Sequence, residues 1–278
     1  MKCIFRCNIG TERSNTQKKY AQGIGHLAHC LSIARELSRK TNSDLIFVIE
    51  GDEDVSDYLD KQNITYYLNQ DETKLYSSLH PSLIFVDINY LDPELVSWYR
   101  QWGPVINLAP RGAVKYFADM TFNDTEAFDI PFRKGMISRK LFCGPEFAII
   151  NEEFIRLRNE LEERIYNEDS GVRVVVSMGG VDKFDITRIA LNYLIRCMQL
   201  GIHVTVILGP FYPFTKEIID MYGSYEPQVK IVQYPQNFPE IIADSQLGIS
   251  VDLIDKLCGL RIRKKITKGS LVEFFHLE

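Results

Sequence analysis

The segment from Gly23 to Ala34 places two glycines and a histidine at the start of a helical pattern. Gly23 and Gly25 flank Ile24, and His26 follows directly. Glycines let the backbone turn tightly and approach a ligand, and the exposed N–H groups of a helix start attract anions. A histidine placed there is able to transfer a proton beside a bound phosphate. The plainer interpretation is a polar residue at a helix start, and the segment alone leaves both interpretations open.

Polar residues also follow the apolar run Leu83 to Val86, which is interpreted as a buried strand. Asp87 comes directly after this run, and Tyr90 follows in the same loop. A carboxylate just beyond a strand orients a histidine, fixes its tautomer or binds a sugar hydroxyl, and it serves equally well as a turn former or a helix cap. His26 is therefore the candidate catalytic residue, and the candidate substrate-binding residues are Gly23, Gly25, Asp87 and Tyr90.

A glycine turn closes another predicted strand, Val172 to Ser177. Glycines at such a place allow backbone N–H groups to hold a pyrophosphate, whereas a tight turn without a ligand is the alternative. The candidate nucleotide-binding residues are Ser177, Gly179, Gly180 and Asp182.

The other histidines and motifs give weaker signals. His29 lies on nearly the same helix face as His26, so it either belongs to the site or packs beneath it. His203 opens an apolar strand and is interpreted as structural. The sequence has no Gly-x-Ser-x-Gly elbow, Walker loop or His-Glu-x-x-His helix, which disfavours a serine hydrolase, a phosphate-loop ATPase and a zinc protease.

Composition and charge narrow the class of protein. The 278 residues are 45% hydrophobic and 25% charged with a net charge of -5, which is typical of a soluble globular protein and argues against nucleic-acid binding. The six cysteines are scattered, so neither a zinc site nor a disulfide framework is expected. The start of the chain lacks the pattern of a signal peptide, and no apolar run approaches the ~18 residues of a membrane span. We expect a cytoplasmic protein.

Short apolar runs alternate with helical patterns along the chain, as in parallel sheets covered by helices on both faces. Asp92 is expected to cap a helix that begins at Pro93. The strands are predicted at Lys2 to Cys7, Asp44 to Ile49, Leu83 to Val86, Pro104 to Leu108, Val172 to Ser177, His203 to Leu208, Val229 to Gln233 and Leu247 to Ile249. The helices are predicted at Ile24 to Lys40, Pro93 to Trp102, Asp185 to Leu200, Phe214 to Tyr222 and Pro239 to Ala243.

The alternation breaks at one charged helical segment that ends in polar residues. We therefore predict an N-terminal domain over residues 1–150, a linker helix over 151–170 and a C-terminal domain over 171–278. Both domains are expected to be α/β, Rossmann-like and doubly wound, and to face a cleft, because such sheets bind ligands beyond the carboxyl ends of their strands.

Four segments, in this order, resemble one family of nucleotide-sugar enzymes. They are Gly23 to Leu31, Val86 to Tyr90, Leu141 to Phe154 and Val174 to Asp182. Together they resemble the UDP-2,4-diacetamido-2,4,6-trideoxy-beta-L-altropyranose hydrolases of pseudaminic acid biosynthesis and their relatives in spore-coat polysaccharide synthesis. The resemblance covers roughly Met1 to Ser250 and implies a fold of the GT-B glycosyltransferase type.

The resemblance also implies an activity. The sugar is held mainly by the N-terminal half and UDP mainly by the C-terminal half, and His26 matches the histidine that activates water for attack at the anomeric carbon with inversion. An imidazole in water titrates near pH ~6.5, so a neutral base is available at neutral pH. Helix N-termini stabilise a leaving diphosphate without a metal. The expected partner is a small-molecule UDP-sugar, with no cofactor, metal or nucleic acid.

The chain departs from this family after Ser250. Family members continue with a small-residue loop and a helix that complete the nucleotide pocket, whereas here Val251 to Leu260 precede a basic tail. We therefore expect the second domain to be divergent after residue 250 and incomplete at its C-terminus. Three hypotheses follow from these residues: a UDP-sugar hydrolase, a GT-B-type glycosyltransferase that uses an acceptor hydroxyl in place of water, and a non-catalytic binding protein.

Overall fold

The protein folds into two α/β units, as seen in a computed structural model. The structure describes residues 1–10, 24–52, 55–88, 91–108, 118–123, 138–161, 171–182 and 184–250. The first unit comprises Met1–Glu152 and the second Glu153–Glu278. None of the helices in these described ranges is long and apolar enough to cross a membrane.

The first unit is built on a parallel sheet of seven strands in the order β3-β2-β1-β4-β5-β6-β7. Its strands are β1 (Lys2–Ile9), β2 (Asp44–Gly51), β3 (Thr65–Leu68), β4 (Leu83–Asp87), β5 (Val105–Leu108), β6 (Met120–Asn123) and β7 (Lys140–Cys143). Its helices are α1 (Gly25–Lys40), α2 (Ser56–Asp60), α3 (Glu72–Leu79) and α4 (Pro93–Arg100). The strand order reverses direction between β1 and β4, and ligands of doubly wound sheets bind at such a switch point.

Aromatic packing supports the register at the centre of this sheet. Phe5 on β1 lies opposite Phe47 on β2 and Phe85 on β4. The ring of Phe5 stacks on both neighbours, with centroid distances of 5.1 Å to Phe47 and 4.7 Å to Phe85. Because side chains alternate between the two faces of a strand, this row of rings fixes which residues of β1 and β4 face α1.

Helix α1 packs against β1 and β4 through an apolar stripe. Its buried residues include Leu27, Cys30, Leu31 and Ala34, which recur at the spacing of one helix face. The predicted cap of α4 is also confirmed, since the Leu95 amide donates to the Asp92 carboxylate at 2.7 Å and Pro93 occupies the first turn.

The second unit repeats the same strand order on a smaller scale. Its four parallel strands lie in the order β10-β9-β8-β11, so the order again reverses beside the first strand of the unit. The strands are β8 (Val172–Ser177), β9 (Ile202–Leu208), β10 (Val229–Gln233) and β11 (Leu247–Ile249). The helices are α5 (Glu152–Leu161), which begins at the last residue of the first unit, α6 (Ile186–Arg196), α7 (Thr215–Tyr222) and α8 (Phe238–Asp244).

The predicted strands of the second unit agree closely with the structure, and one predicted helix was too long. The helix expected over Asp185 to Leu200 ends at Arg196, because Cys197 leaves the helical conformation and a short 3-10 turn, Met198–Leu200, leads into Gly201 with φ +74°. In the first unit, α4 likewise ends at Arg100 and not at Trp102. The departures expected after residue 250 lie outside the described residues.

Candidate functional site

The first candidate site forms where α1 begins beside the end of β4. His26 is the second residue of α1, and Asp87 is the last residue of β4, next to Cys7 in the register of β1. The Nδ1 atom of His26 lies 2.6 Å from Oδ1 of Asp87. The Asp87 side chain is 1% exposed and that of His26 10% exposed. The sequence thus predicted two residues, 61 positions apart, that the fold brings into direct contact.

His29 binds the other oxygen of the same carboxylate. Its Nδ1 atom lies 2.8 Å from Oδ2 of Asp87, and its side chain is 31% exposed. Of the two interpretations of His29, membership of the site is therefore the one that its contact supports. The two histidines lie one helical turn apart on α1, which lets a single carboxylate reach both.

The charge on Asp87 decides the hydrogen positions on both rings. An ionised carboxylate has only acceptor oxygens, so each Nδ1 atom donates and each neutral imidazole carries its lone pair on Nε2. Such a carboxylate holds the ring in one orientation and stabilises the imidazolium that forms when Nε2 takes a proton. The His26–Asp87 pair is therefore equipped for general base chemistry.

Cys30 lies behind this pair on α1 and does not compete for the role of nucleophile. Burial raises the pKa of the Cys30 thiol well above its ordinary value, and the neighbouring Cys7 and Asp87 raise it further. A thiol held protonated in this way is a poor nucleophile. Proton transfer at this end of the sheet is therefore assigned to the imidazoles of His26 and His29.

The glycines near His26 are only partly described. Gly25 opens α1, and a methyl group added to it would meet no atom of the described residues within 4 Å. Gly23 and Tyr90 lie outside the described residues, and their roles in substrate binding stay predictions.

The glycine turn of the second unit comes directly after β8. Ser177 ends β8, and Gly179 has φ +81°, a conformation that favours glycine. The carbonyl oxygen of Gly180 accepts a hydrogen bond from the amide of Phe211 at 3.1 Å. A Cβ added to Gly209 would lie 2.3 Å from that same oxygen. Sequence reasoning missed Gly209, whose signal is a glycine directly after the apolar strand β9.

Asp182 binds the start of α6 within the protein. Its Oδ1 atom accepts from the amide of Ile186 at 2.9 Å, and its Oδ2 atom accepts from the amide of Thr187 at 2.8 Å. A phosphate that used these two amides would have to displace the carboxylate. The prediction that Asp182 contacts a nucleotide therefore stays a prediction, and its described contacts are those of a helix cap.

A polar cluster on the other face of the first sheet was also missed. Arg6 is 5% exposed in the middle of β1 and pairs with Glu50 and Glu72. The sequence signal is Arg6 and Asn8 at alternate positions of an otherwise apolar strand, which places both on one face. No group of three or more His, Cys, Asp or Glu suited to a metal ion occurs within the part of the chain that the structure describes.

Comparison with known proteins identifies the fold but not the family. The chain matches no protein-family model. It is 22% identical over 245 residues to an uncharacterized protein of Methanocaldococcus jannaschii, a match that covers 84% of this chain and 50% of that protein. The chain thus spans half the length of the curated relative it matches.

Two solved structures share the fold. UDP-GlcNAc 2-epimerase from Neisseria meningitidis bound to UDP-GlcNAc matches with a TM-score of 0.54 and 12% identity, over 90% of this chain and 77% of the epimerase. MurG from Acinetobacter baumannii matches with a TM-score of 0.50 and 12% identity, over 90% of this chain and 73% of MurG. The expected fold class, Rossmann-like α/β units of the GT-B type, is confirmed by these matches.

Proposed function

We propose that the protein is a nucleotide-sugar enzyme that breaks the bond between a sugar and the diphosphate of UDP, with water as the acceptor. The observation that carries this proposal is the buried carboxylate of Asp87, which accepts hydrogen bonds from His26 and His29 at the switch point of the first sheet. The fold shared with a UDP-GlcNAc 2-epimerase bound to UDP-GlcNAc supports the choice of ligand class.

The proposed reaction assigns the general base to His26. Its Nε2 atom takes a proton from water as the water oxygen attacks the anomeric carbon. The bond from that carbon to the diphosphate oxygen breaks, and its electron pair leaves with UDP. Asp87 stabilises the imidazolium through the Nδ1 hydrogen bond. The products are the free sugar and UDP, and the imidazolium returns its proton to solvent.

The glycine turn after β8 is proposed to hold the diphosphate. Ser177, Gly179 and Gly180 offer a hydroxyl and backbone amides, and the positive φ of Gly179 supports a turn in which amides point to one side. Asp182 then acts by holding the start of α6 beside that turn. Stabilising charge on the leaving UDP in this way needs no metal ion.

The first substrate to test is the UDP-linked diacetamido-trideoxy sugar of the family that the four sequence segments resemble. The assay measures UDP released by the full chain without any added acceptor. Steady release that His26→Ala lowers by about 10³-fold or more supports the proposal. The matched control is His203→Ala, which removes an exposed imidazole from β9 and is expected to leave the rate unchanged.

Two other outcomes would overturn the hydrolase. Release of UDP only after an acceptor alcohol is added would identify a glycosyltransferase. Absence of a thermal shift at millimolar UDP, in a well-folded protein, would favour a non-catalytic binding protein, because a ligand that binds the native state raises its stability by mass action.

A further inference from the structure

A cavity of about 510 Å³ lies within the first unit, on the sheet face opposite α1. Its floor is formed by Arg6 and Asn8 of β1, and Ile88 lines it directly after Asp87. The remaining lining residues are Glu50, Glu72, Leu95, Trp98 and Tyr99. The cavity and Asp87 therefore lie on opposite faces of the sheet, where β1 and β4 are neighbours.

Four of the five N–H groups of the Arg6 guanidinium donate hydrogen bonds inside this cavity. Its Nε atom lies 2.6 Å from Oε1 of Glu72, and its Nη2 atom lies 2.8 Å from Oε2 of Glu50. Its Nη1 atom donates to the Cys7 carbonyl oxygen at 2.8 Å and also to the side chain of Asn8. Burial disfavours the charge of Arg6, but Tyr99 and the two glutamates outweigh burial and raise its pKa. Arg6 is thus a fixed structural cation.

The charges in the cavity disfavour an anionic ligand. Among the described residues that line the cavity, one guanidinium and two carboxylates leave an excess of one negative charge, and four of the five N–H donors of Arg6 already bond within the cluster. Tyr99 donates its hydroxyl to Oε2 of Glu72 at 3.1 Å, which ties that carboxylate down further. Glu50, whose side chain is 54% exposed, stands at the solvent side and is the acceptor that a ligand meets first.

The other described residues that line the cavity are apolar or aromatic. Ile88 is buried, Leu95 and Trp98 are half-buried, and the rings of Trp98 and Tyr99 meet edge to face at a centroid distance of 5.0 Å. A sugar ring has an apolar C–H face that packs on such a surface and a rim of O–H and N–H donors that suits carboxylate acceptors. A uracil ring suits the cavity less well, because its two carbonyl oxygens would face the carboxylates.

We propose that this cavity is a subsite for a neutral or amine-bearing sugar ring, and that Glu50 excludes sugars that carry a carboxylate. The cavity lies on the other face of the sheet from His26, so a sugar ring bound there is not the ring whose anomeric carbon His26 is proposed to serve, and the inference does not rest on the proposed function. Sugar binding itself does not require hydrolysis. The two proposals therefore fail independently.

The test uses free monosaccharides and saturation-transfer NMR on the full chain. The probes are N-acetylglucosamine, glucuronate and uridine. The expected result is transfer to N-acetylglucosamine, with binding of glucuronate weaker by about tenfold, as expected for a like charge placed near Glu50. Binding of uridine without binding of N-acetylglucosamine, or equal binding of the two sugars, would overturn the proposal, as would silence from all three probes.

Two variants locate the binding. Glu50→Gln removes one negative charge and is expected to reduce the difference in affinity between glucuronate and N-acetylglucosamine. Leu95→Trp fills the cavity and is expected to abolish saturation transfer to both sugars. The matched control is Glu36→Gln on α1, whose side chain is 46% exposed and lies outside the cavity lining. An equal change in the preference for N-acetylglucosamine over glucuronate in Glu50→Gln and Glu36→Gln would contradict a role for Glu50. Wild-type sugar binding by Leu95→Trp would show that the sugar binds outside the cavity.

Discussion

Gly209 lies so close to Gly180 that no side chain fits between them. A Cβ on Gly209 would come within 2.3 Å of the Gly180 carbonyl oxygen and 2.4 Å of that of Gly179. The loops that follow β8 and β9 are thereby held together by backbone contact, reinforced by the hydrogen bond from the Phe211 amide to Gly180. The shape of the proposed diphosphate turn depends on a residue outside it.

Gly209→Ala is therefore expected to disturb the turn without touching a ligand. The added methyl group meets backbone and forces a shift, which costs about 1–3 kcal/mol of the free energy of unfolding. UDP binding, measured by calorimetry, should weaken as well. The control is Gly223→Ala, at φ -60°, where the added carbon has no atom of the described part of the chain within 4 Å. Equal stability and equal UDP affinity in the two variants would contradict this account.

The Asp87 carboxylate gives a second prediction. Asp87→Asn offers an amide in place of one oxygen, so the hydrogen bonds to the two Nδ1 atoms can no longer both be kept in the same tautomer. The rate of UDP release should fall by about 10³–10⁴-fold while the fold is retained. His29→Asn should lower the rate by a smaller factor, because the His26 contact survives. A His29 variant as inactive as His26→Ala would show that the roles of the two histidines need to be exchanged.

Removal of the Asp182 carboxylate is expected to lower the free energy of unfolding. Asp182→Ala removes both hydrogen bonds to the start of α6 and should cost about 0.5–2 kcal/mol. Asp92→Ala removes the comparable cap of α4 in the other unit and should cost a similar amount. Only the Asp182 variant should also weaken UDP binding, since α6 follows the glycine turn. If both variants bind UDP as wild type, the turn after β8 does not depend on this cap.

The lowered pKa of Asp119 predicts how the free energy of unfolding changes with pH. Partial burial alone would raise the pKa of Asp119, but the hydrogen bonds from the Val105 amide and the Arg100 guanidinium more than offset it, and the pKa is lowered. A lowered folded pKa means that the contribution to stability is fully present above the unfolded value of ~3.9 and disappears as pH falls through the folded value.

Thermal unfolding of Asp119→Asn between about pH 7 and about pH 3 tests this sign. The variant should be less stable than wild type at neutral pH, by about 1 kcal/mol. The difference should shrink as the wild-type carboxylate is protonated at acidic pH. A difference that stays constant or grows on acidification would contradict the assigned contacts.

Much of the second unit was predictable because its strands are short apolar runs between polar breaks. The predicted bounds of β8, β10 and β11 match the structure residue for residue. Strand β3 was missed because Leu68 is the one aliphatic residue among its four, Thr65–Leu68. Strands β6 (MTFN) and β7 (KLFC) were missed because each includes polar or charged residues and so forms no continuous aliphatic run.

The site was predictable where one rule about parallel sheets sufficed. Residues at the carboxyl ends of neighbouring strands meet, and this rule connects Asp87 with the start of α1. The rule gives no partner for Arg6, since Glu50 and Glu72 lie 44 and 66 positions away on different elements. A charged residue inside a strand is read from sequence as an interruption, and only the fold shows that it is neutralised within a cavity.

Asp87 contacts His26 and His29, which lie one turn apart on α1. The orientation of the His26 ring therefore depends on the position of the whole helix. A rotation or slide of α1 by a fraction of a turn would break at least one of the two hydrogen bonds. A larger residue at Ala34, which is buried farther along α1, should therefore slow the proposed release of UDP, because it would shift the helix and misalign His26. If the proposed hydrolysis takes place, packing far from the imidazoles is therefore expected to affect its rate, which the UDP-release assay measures.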